Sequence, residues 1–217
     1  MRFLCLHGMG TNSKVCKACP AALRSEICEP HVHKFEFVDG ELQWPPAPGS
    51  ETLNLGPDEC LAYYDSGSAS SILEAIKDLD AYVKKAGPFD GILGFSQGAV
   101  LAAMLLARHG CHAPFSLAIF ICADIPFSEQ ALKKGVVELL EPGKEEEPVI
   151  LVPSAHIYGA RDPDVEHAHV LAKLCQDYGR VTYDHGAGHE IPRSPSGVTD
   201  EMTDVIQNVI LKATLGQ

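Results

Sequence analysis

Long apolar runs are missing from this sequence. The longest, Ala99 to Ala107, is nine residues, and a membrane-spanning helix needs roughly 18 or more. Only four apolar residues separate Arg2 from His7, too few for the apolar stretch of a secretory leader. Positive charge is scarce as well. There are 17 Lys and Arg against 29 Asp and Glu, a net charge of −12. Such a chain repels phosphate backbones and anionic lipid, so neither nucleic acid nor a membrane is an expected partner. Repeats and low-complexity tracts are absent, and there is a single tryptophan. An intracellular, cytoplasmic protein with mostly reduced thiols is expected.

What is present suits one globular domain. The 217 residues can form a continuous core without staples, so residues 1–217 are read as a single unit. Eight cysteines could suggest disulfides, but disulfide frameworks belong mainly to small secreted domains. Cys16 and Cys19 form one CxxC with no second pair or matching histidines, so they read as two thiols on an early helix. No metal and no cofactor is expected.

Short apolar runs alternate with helical patterns, the signature of a mainly parallel sheet of about six strands flanked by helices. The expected strands are Arg2–Leu6, His33–Val38, Gly91–Phe95, Phe115–Cys122, one within Val149–Tyr158 with a break or bend at Pro153, and Arg180–Asp184. Helices are expected over Ser13–Ile27, Ser71–Lys85, Gln97–Arg108 and Ser128–Leu140. The stripe Leu171, Leu174, Cys175, Tyr178 marks another, and a final helix is capped by Thr199. Ser71 and Glu74 have the spacing of a capping box. Residues 39–70 and 124–148 read as irregular lid or pocket segments, with Trp44, Tyr63, Tyr64, Phe127 and Ile191 as candidate substrate contacts.

Gly94-Phe95-Ser96-Gln97-Gly98 fits the pattern GxSxG between an apolar strand and a buried helix. That context predicts a sharp turn that lifts the Ser96 hydroxyl clear of the sheet. A serine hydroxyl needs a base, and the base needs an acid to orient it. Asp162 follows a strand and is the expected acid, with Asp164 as the alternative. His189 lies in a glycine-rich loop after the last strand and is the expected base, with His185 as its rival. Gln97 opens a helix, so its N–H has no intrahelical partner and can face an oxyanion. Met9, in the turn Leu6-His7-Gly8-Met9-Gly10, is expected to supply the second donor. His7 then holds that turn, His156 packs in a strand, and His167 and His169 sit on a solvated helix.

The stretch Gly87-Pro88-Phe89-Asp90-Gly91-Ile92-Leu93-Gly94-Phe95-Ser96-Gln97-Gly98-Ala99 resembles the signature of the FSH-type serine hydrolase family within the α/β-hydrolases. Leu6-His7-Gly8, Val38-Asp39-Gly40, Pro153-Ser154-Ala155-His156-Ile157-Tyr158-Gly159 and Gly188-His189 match it too. The resemblance implies an α/β-hydrolase fold with Ser96, Asp162 and His189 as a triad. Fungal members include thioesterases that release polyketides from their synthases. Tyr63-Tyr64-Asp65 departs from the family, where a more Trp-rich segment is expected. The implied activity is hydrolysis of an ester or thioester through an acyl-serine, on an acyl chain that a carrier domain could present. A small-molecule carboxylesterase, an acyltransferase with the same triad and a non-catalytic binding module are the alternatives.

Overall fold

The computed structural model describes residues 1–18, 33–47, 56, 59–143, 149–192 and 196–215. Strands β1 (Arg2–Leu6), β2 (Lys34–Val38), β5 (Gly91–Phe95), β6 (Leu117–Ile121), β7 (Ser154–Tyr158) and β8 (Val181–Asp184) form one sheet in the order β2-β1-β5-β6-β7-β8. Every neighbouring pair is parallel. The chain steps from β1 to one edge at β2, then returns to the far side of β1 at β5. This reversal opens a crevice at the carboxyl ends of β1 and β5, where open α/β sheets hold their sites.

Side chains alternate across the strands. Leu4, Leu6, Ile92 and Phe120 face one layer, packed by helices α2 (Ala69–Ala86) and α3 (Gln97–His109). Phe3, Cys5, Leu93, Ile119 and Ile157 face the other, where Met202, Ile206 and Val209 of α6 (Ser196–Leu215) cover them. Helix α3 is buried from Gln97 to Leu106, as a helix apolar nearly all round must be. The remaining elements are α1 (Ser13–Ala18), α4 (Glu129–Leu132), α5 (Val165–Leu174) and an antiparallel pair, β3 (Leu42–Gln43) with β4 (Leu61–Ala62).

Several boundaries differ from the sequence pattern. Helix α2 begins at Ala69, and its cap is Ser68, whose side chain accepts from the Ser71 N–H. Ser71 therefore lies inside the first turn. The expected helix over Ser128–Leu140 ends after Leu132. Gly135 turns the chain at φ +79°, and Phe127 and Leu139 then form an antiparallel bridge. Strand β7 starts only at Ser154, although Ile150 makes an isolated bridge to Cys175. Helix α5 ends at Leu174, leaving Tyr178 exposed. Thr199 sits within α6 and its hydroxyl donates to the Ser196 carbonyl. Most of the expected helix Ser13–Ile27, including Cys19, lies outside the described residues.

His156 is buried in β7, with its Nε2 3.0 Å from Ser154 Oγ. Its Nδ1 has no partner among the described residues. Burial drives its pKa from 6.5 down to about 3, and Arg180 pushes the same way. The folded chain holds this ring neutral, whereas the unfolded chain protonates it. Its contribution is therefore complete above pH 6.5 and drains away as the pH falls towards 3. Denaturation midpoints should fall between pH 6.5 and 5, before most carboxylates titrate. His156→Asn should start less stable at neutral pH and show a shallower fall; parallel slopes would remove this ring as the cause.

Candidate active site

Three glycines shape the site by having no side chain. A Cβ on Gly94 would lie 2.5 Å from the Ala99 backbone, and one on Gly98 would lie 2.5 Å from the His7 carbonyl. Their absence lets β5, α3 and the end of β1 close on one another. A Cβ on Gly8 would meet the Phe95 ring at 2.8 Å. Between these contacts the chain turns at Ser96 with φ 52° and ψ −121°. Non-glycine residues rarely adopt positive φ, and the strain projects the hydroxyl away from the sheet.

The Ser96 Oγ lies 2.9 Å from His189 Nε2, and His189 Nδ1 lies 2.7 Å from Asp162 Oδ2. Asp162 is buried while His189 is exposed. The other Asp162 oxygen accepts the Asp164 N–H at 3.0 Å. Asp164 itself is exposed, at the N-cap position of α5, so it supports Asp162 instead of facing the histidine. His185 points elsewhere. Its Nδ1 accepts from the Ala187 N–H at 3.2 Å, and its Nε2 lies 3.8 Å from Cys122 Sγ. With Nδ1–H bonded to the carboxylate, His189 Nε2 is free to accept the serine proton. The arrangement can thus generate a nucleophilic serine.

The turn after β1 is fixed from beneath. The His7 Nδ1–H donates to the Gly8 carbonyl at 2.7 Å, and Thr11 Oγ1 donates to the same oxygen at 2.6 Å. The Gly40 N–H donates to His7 Nε2 at 2.9 Å. Burial lowers the His7 pKa, which keeps the neutral ring that these bonds require. The Gly8–Met9 peptide is planar and trans, so its N–H points opposite to its carbonyl. With the Gly8 carbonyl turned into the His7–Thr11 cluster, the Met9 N–H faces away from it. Neither this N–H nor that of Gln97 has a hydrogen-bond partner among the described residues.

Aromatic side chains expected at the substrate have other duties. The Tyr63 hydroxyl donates to the Val38 carbonyl and accepts the His7 N–H, at 2.7 and 2.9 Å. Its ring stacks on His7 with centroids 4.6 Å apart. Tyr64 and Ile191 are buried in the two core layers, so neither offers an open contact surface. Phe127 packs edge-on to Tyr64. Trp44 is half-buried, in a segment whose Ala47 N–H bonds the Gly10 carbonyl. The Gln97 side chain clamps this region: Oε1 accepts the Tyr63 N–H and Nε2 donates to the Tyr64 carbonyl, both at 2.8 Å.

Two neighbours carried no sequence signal. The Phe95 ring lies against His189 at 5.4 Å. Cys122, at the end of β6, comes within reach of both Asp162 and His189, and these three could together hold a metal ion. The Asp162 and His189 atoms are bonded to each other, and the thiol donates to the Glu190 carbonyl. A positive φ after a buried strand, which only the fold reveals, is what marks Cys122. On α5, His167 Nδ1 pairs with Asp124 at 2.5 Å and His169 with Glu166 at 3.5 Å; both rings are partly exposed.

The chain is similar in sequence and in fold to known esterases and hydrolases. The chain is 52% identical over 219 residues to Esterase FPY3 of Fusarium mangiferae, covering 100% of both. It is 29% identical over 223 residues to Hydrolase phiM of Fungal sp. (strain ATCC 74256), covering 100% of this chain and 98% of that one. Among solved structures, esterase PE8 superposes with a TM-score of 0.64 at 18% identity, covering 96% of this chain and 92% of that one. A carboxylesterase from Mesorhizobium loti gives 0.61 at 16% identity, covering 95% and 88%. At these identities the structural likeness is one of fold, the α/β-hydrolase fold. The model of the family described as serine hydrolase (FSH1) matches residues 1–200. With a strained serine at a strand–helix turn and a histidine and carboxylate in line behind it, the chain belongs to the FSH1 serine hydrolase family.

Proposed function

We propose that this serine hydrolase cleaves an acyl ester or thioester through an acyl-serine intermediate. The observation that carries the reading is the hydrogen-bonded line from Ser96 Oγ through His189 to Asp162. Ser96 Oγ attacks the acyl carbonyl as His189 Nε2 takes its proton. Asp162 fixes the imidazole tautomer and offsets the charge of the imidazolium. The Met9 and Gln97 N–H groups receive the oxyanion, each lowering the barrier by about 3 kcal/mol. His189 then protonates the leaving group, and water, activated by the same ring, releases the acid. We assign contact with the acyl chain to two apolar side chains, exposed Met9 and half-buried Trp44.

The favoured substrate is a polyketide or similar acyl chain on a thioester, presented by a carrier in the cytoplasm. The resemblance to fungal chain-releasing thioesterases supports it. Cys60, Cys111, Cys122 and Cys175 form no disulfide, which suits a reducing compartment. The esterase name of the 52% identical relative favours a second reading, an oxyesterase without a carrier. Matched thioesters and oxyesters of one acyl chain separate the two. Higher kcat/KM on the thioester is expected, and a strong oxyester preference would discard the carrier. A fluorophosphonate probe should label the protein but not Ser96→Ala; absence of labelling in both would discard the mechanism. Because the chain carries a charge of −12, an acidic carrier should not be steered to it. Its association rate should therefore not fall steeply with added salt.

A further inference from the structure

Just past strand β6 lies a strained residue that the proposed chemistry does not use. Cys122 has φ +45°, a left-handed conformation uncommon outside glycine. Its N–H donates to the Ile157 carbonyl at 2.8 Å, which ties the end of β6 to β7. The side chain is buried behind the loop that carries His189.

The hydrogen bonds around the sulfur have a definite direction. The Ala187 N–H donates to His185 Nδ1 at 3.2 Å, so the ring proton sits on Nε2. That Nε2–H faces Cys122 Sγ at 3.8 Å. The thiol in turn donates to the Glu190 carbonyl at 3.5 Å. Burial raises the thiol pKa to about 12, so the thiol keeps its proton, and lowers that of His185, which favours the neutral ring whose Nδ1 can accept. The Glu190 N–H bonds the Gly188 carbonyl at 2.9 Å. Glu190 is therefore held through both its carbonyl and its N–H, and His189 projects from the turn between Gly188 and Glu190. The acid turn is fastened to the same loop. The Arg161 N–H donates to the Ala187 carbonyl at 3.0 Å, and Arg161 Nε donates to the Gly186 carbonyl at 2.8 Å.

We propose that Cys122, oriented by His185, is a positioning residue that holds the Glu190 carbonyl and so keeps His189 in line between Ser96 and Asp162. The inference rests on the catalytic reading given above. Its force comes from the sensitivity of proton transfer to distance, since a displacement of about 1 Å can cost a hundredfold in rate.

The test compares wild type, Cys122→Ala and Cys122→Ser in three measurements: ester turnover, the rate of fluorophosphonate labelling, and thermal unfolding. Cys122→Ala should lower kcat about tenfold with KM unchanged, and the labelling rate should fall in parallel. Cys122→Ser keeps a donor on a shorter bond and should fall in between. Turnover and labelling within twofold of wild type in both variants would overturn the proposal. So would a lower unfolding temperature with kcat unchanged, which marks a packing role alone. If the alanine variant does not fold, the serine variant decides by the same two rates. Wild type that fails to label would instead strike down the catalytic reading, and the positioning role with it.

Discussion

Asp162→Asn should lower kcat by about four orders of magnitude while leaving the fold intact. The geometry explains why so small a change has so large an effect. One carboxylate oxygen accepts the Asp164 N–H, and an asparagine would keep its oxygen there. Its amide NH2 would then be set against His189 Nδ1, where Oδ2 now lies at 2.7 Å. An N–H donor at that place forces Nδ1 to accept and moves the ring proton to Nε2. That proton would point at Ser96 Oγ, and the ring could no longer act as a base. Steady-state hydrolysis beside a thermal melt checks both halves. A loss below tenfold, with an unchanged melt, would mean that Asp162 does not set the tautomer.

The largest effect on stability is expected at Gly98. An alanine Cβ there would sit 2.5 Å from the His7 carbonyl and 2.6 Å from the Leu6 carbonyl. Both are backbone atoms of the central sheet and the turn beyond it, so no side chain can move aside. Helix α3 cannot retreat freely either, because Gly94 already brings β5 against the Ala99 backbone. Gly98→Ala should therefore cost roughly 3 kcal/mol or more, and any relief would displace the Met9 turn and reduce activity. Gly197→Ala is the matched control. It lies in α6 with nothing within 4 Å of the added atom, so helix propensity alone should make it neutral or slightly stabilising. Denaturant midpoints for both variants test the contrast; similar values would refute the steric account.

Most of the sheet is legible in the sequence because buried parallel strands read as apolar runs flanked by turns. Arg2–Leu6 and Gly91–Phe95 have the same limits in pattern and structure. Local pattern failed where tertiary contacts chose between similar options. Ser68 and Ser71 can both cap a helix, and the segment 128–140 has helical spacing on either side of Gly135. There the positive φ of the glycine and the Phe127–Leu139 bridge prevail over propensity. Ser96 and His189 stand out because their surroundings are local: a strand–turn–helix and a glycine loop. The choice of Asp162 over Asp164 depends on a bond to a histidine 27 residues away. Tyr63 and Tyr64 looked like substrate contacts because aromatics in a long loop suggest a pocket, yet their partners are Val38, His7 and the core. Cys122 was illegible because its partner, Glu190, is 68 residues on.

The strand order also bears on when activity can arise during synthesis. The proposed nucleophile leaves the ribosome with β5, but the proposed acid follows β7 and the proposed base follows β8, the outermost strand on that side of the sheet. Domains begin to fold from the N-terminus while the chain is still growing. A nascent chain that has already built the Ser96 turn still lacks anything to withdraw its proton. On the proposed mechanism, the serine stays inert until the last strand docks, so an incomplete chain cannot consume acyl groups while it waits to be finished.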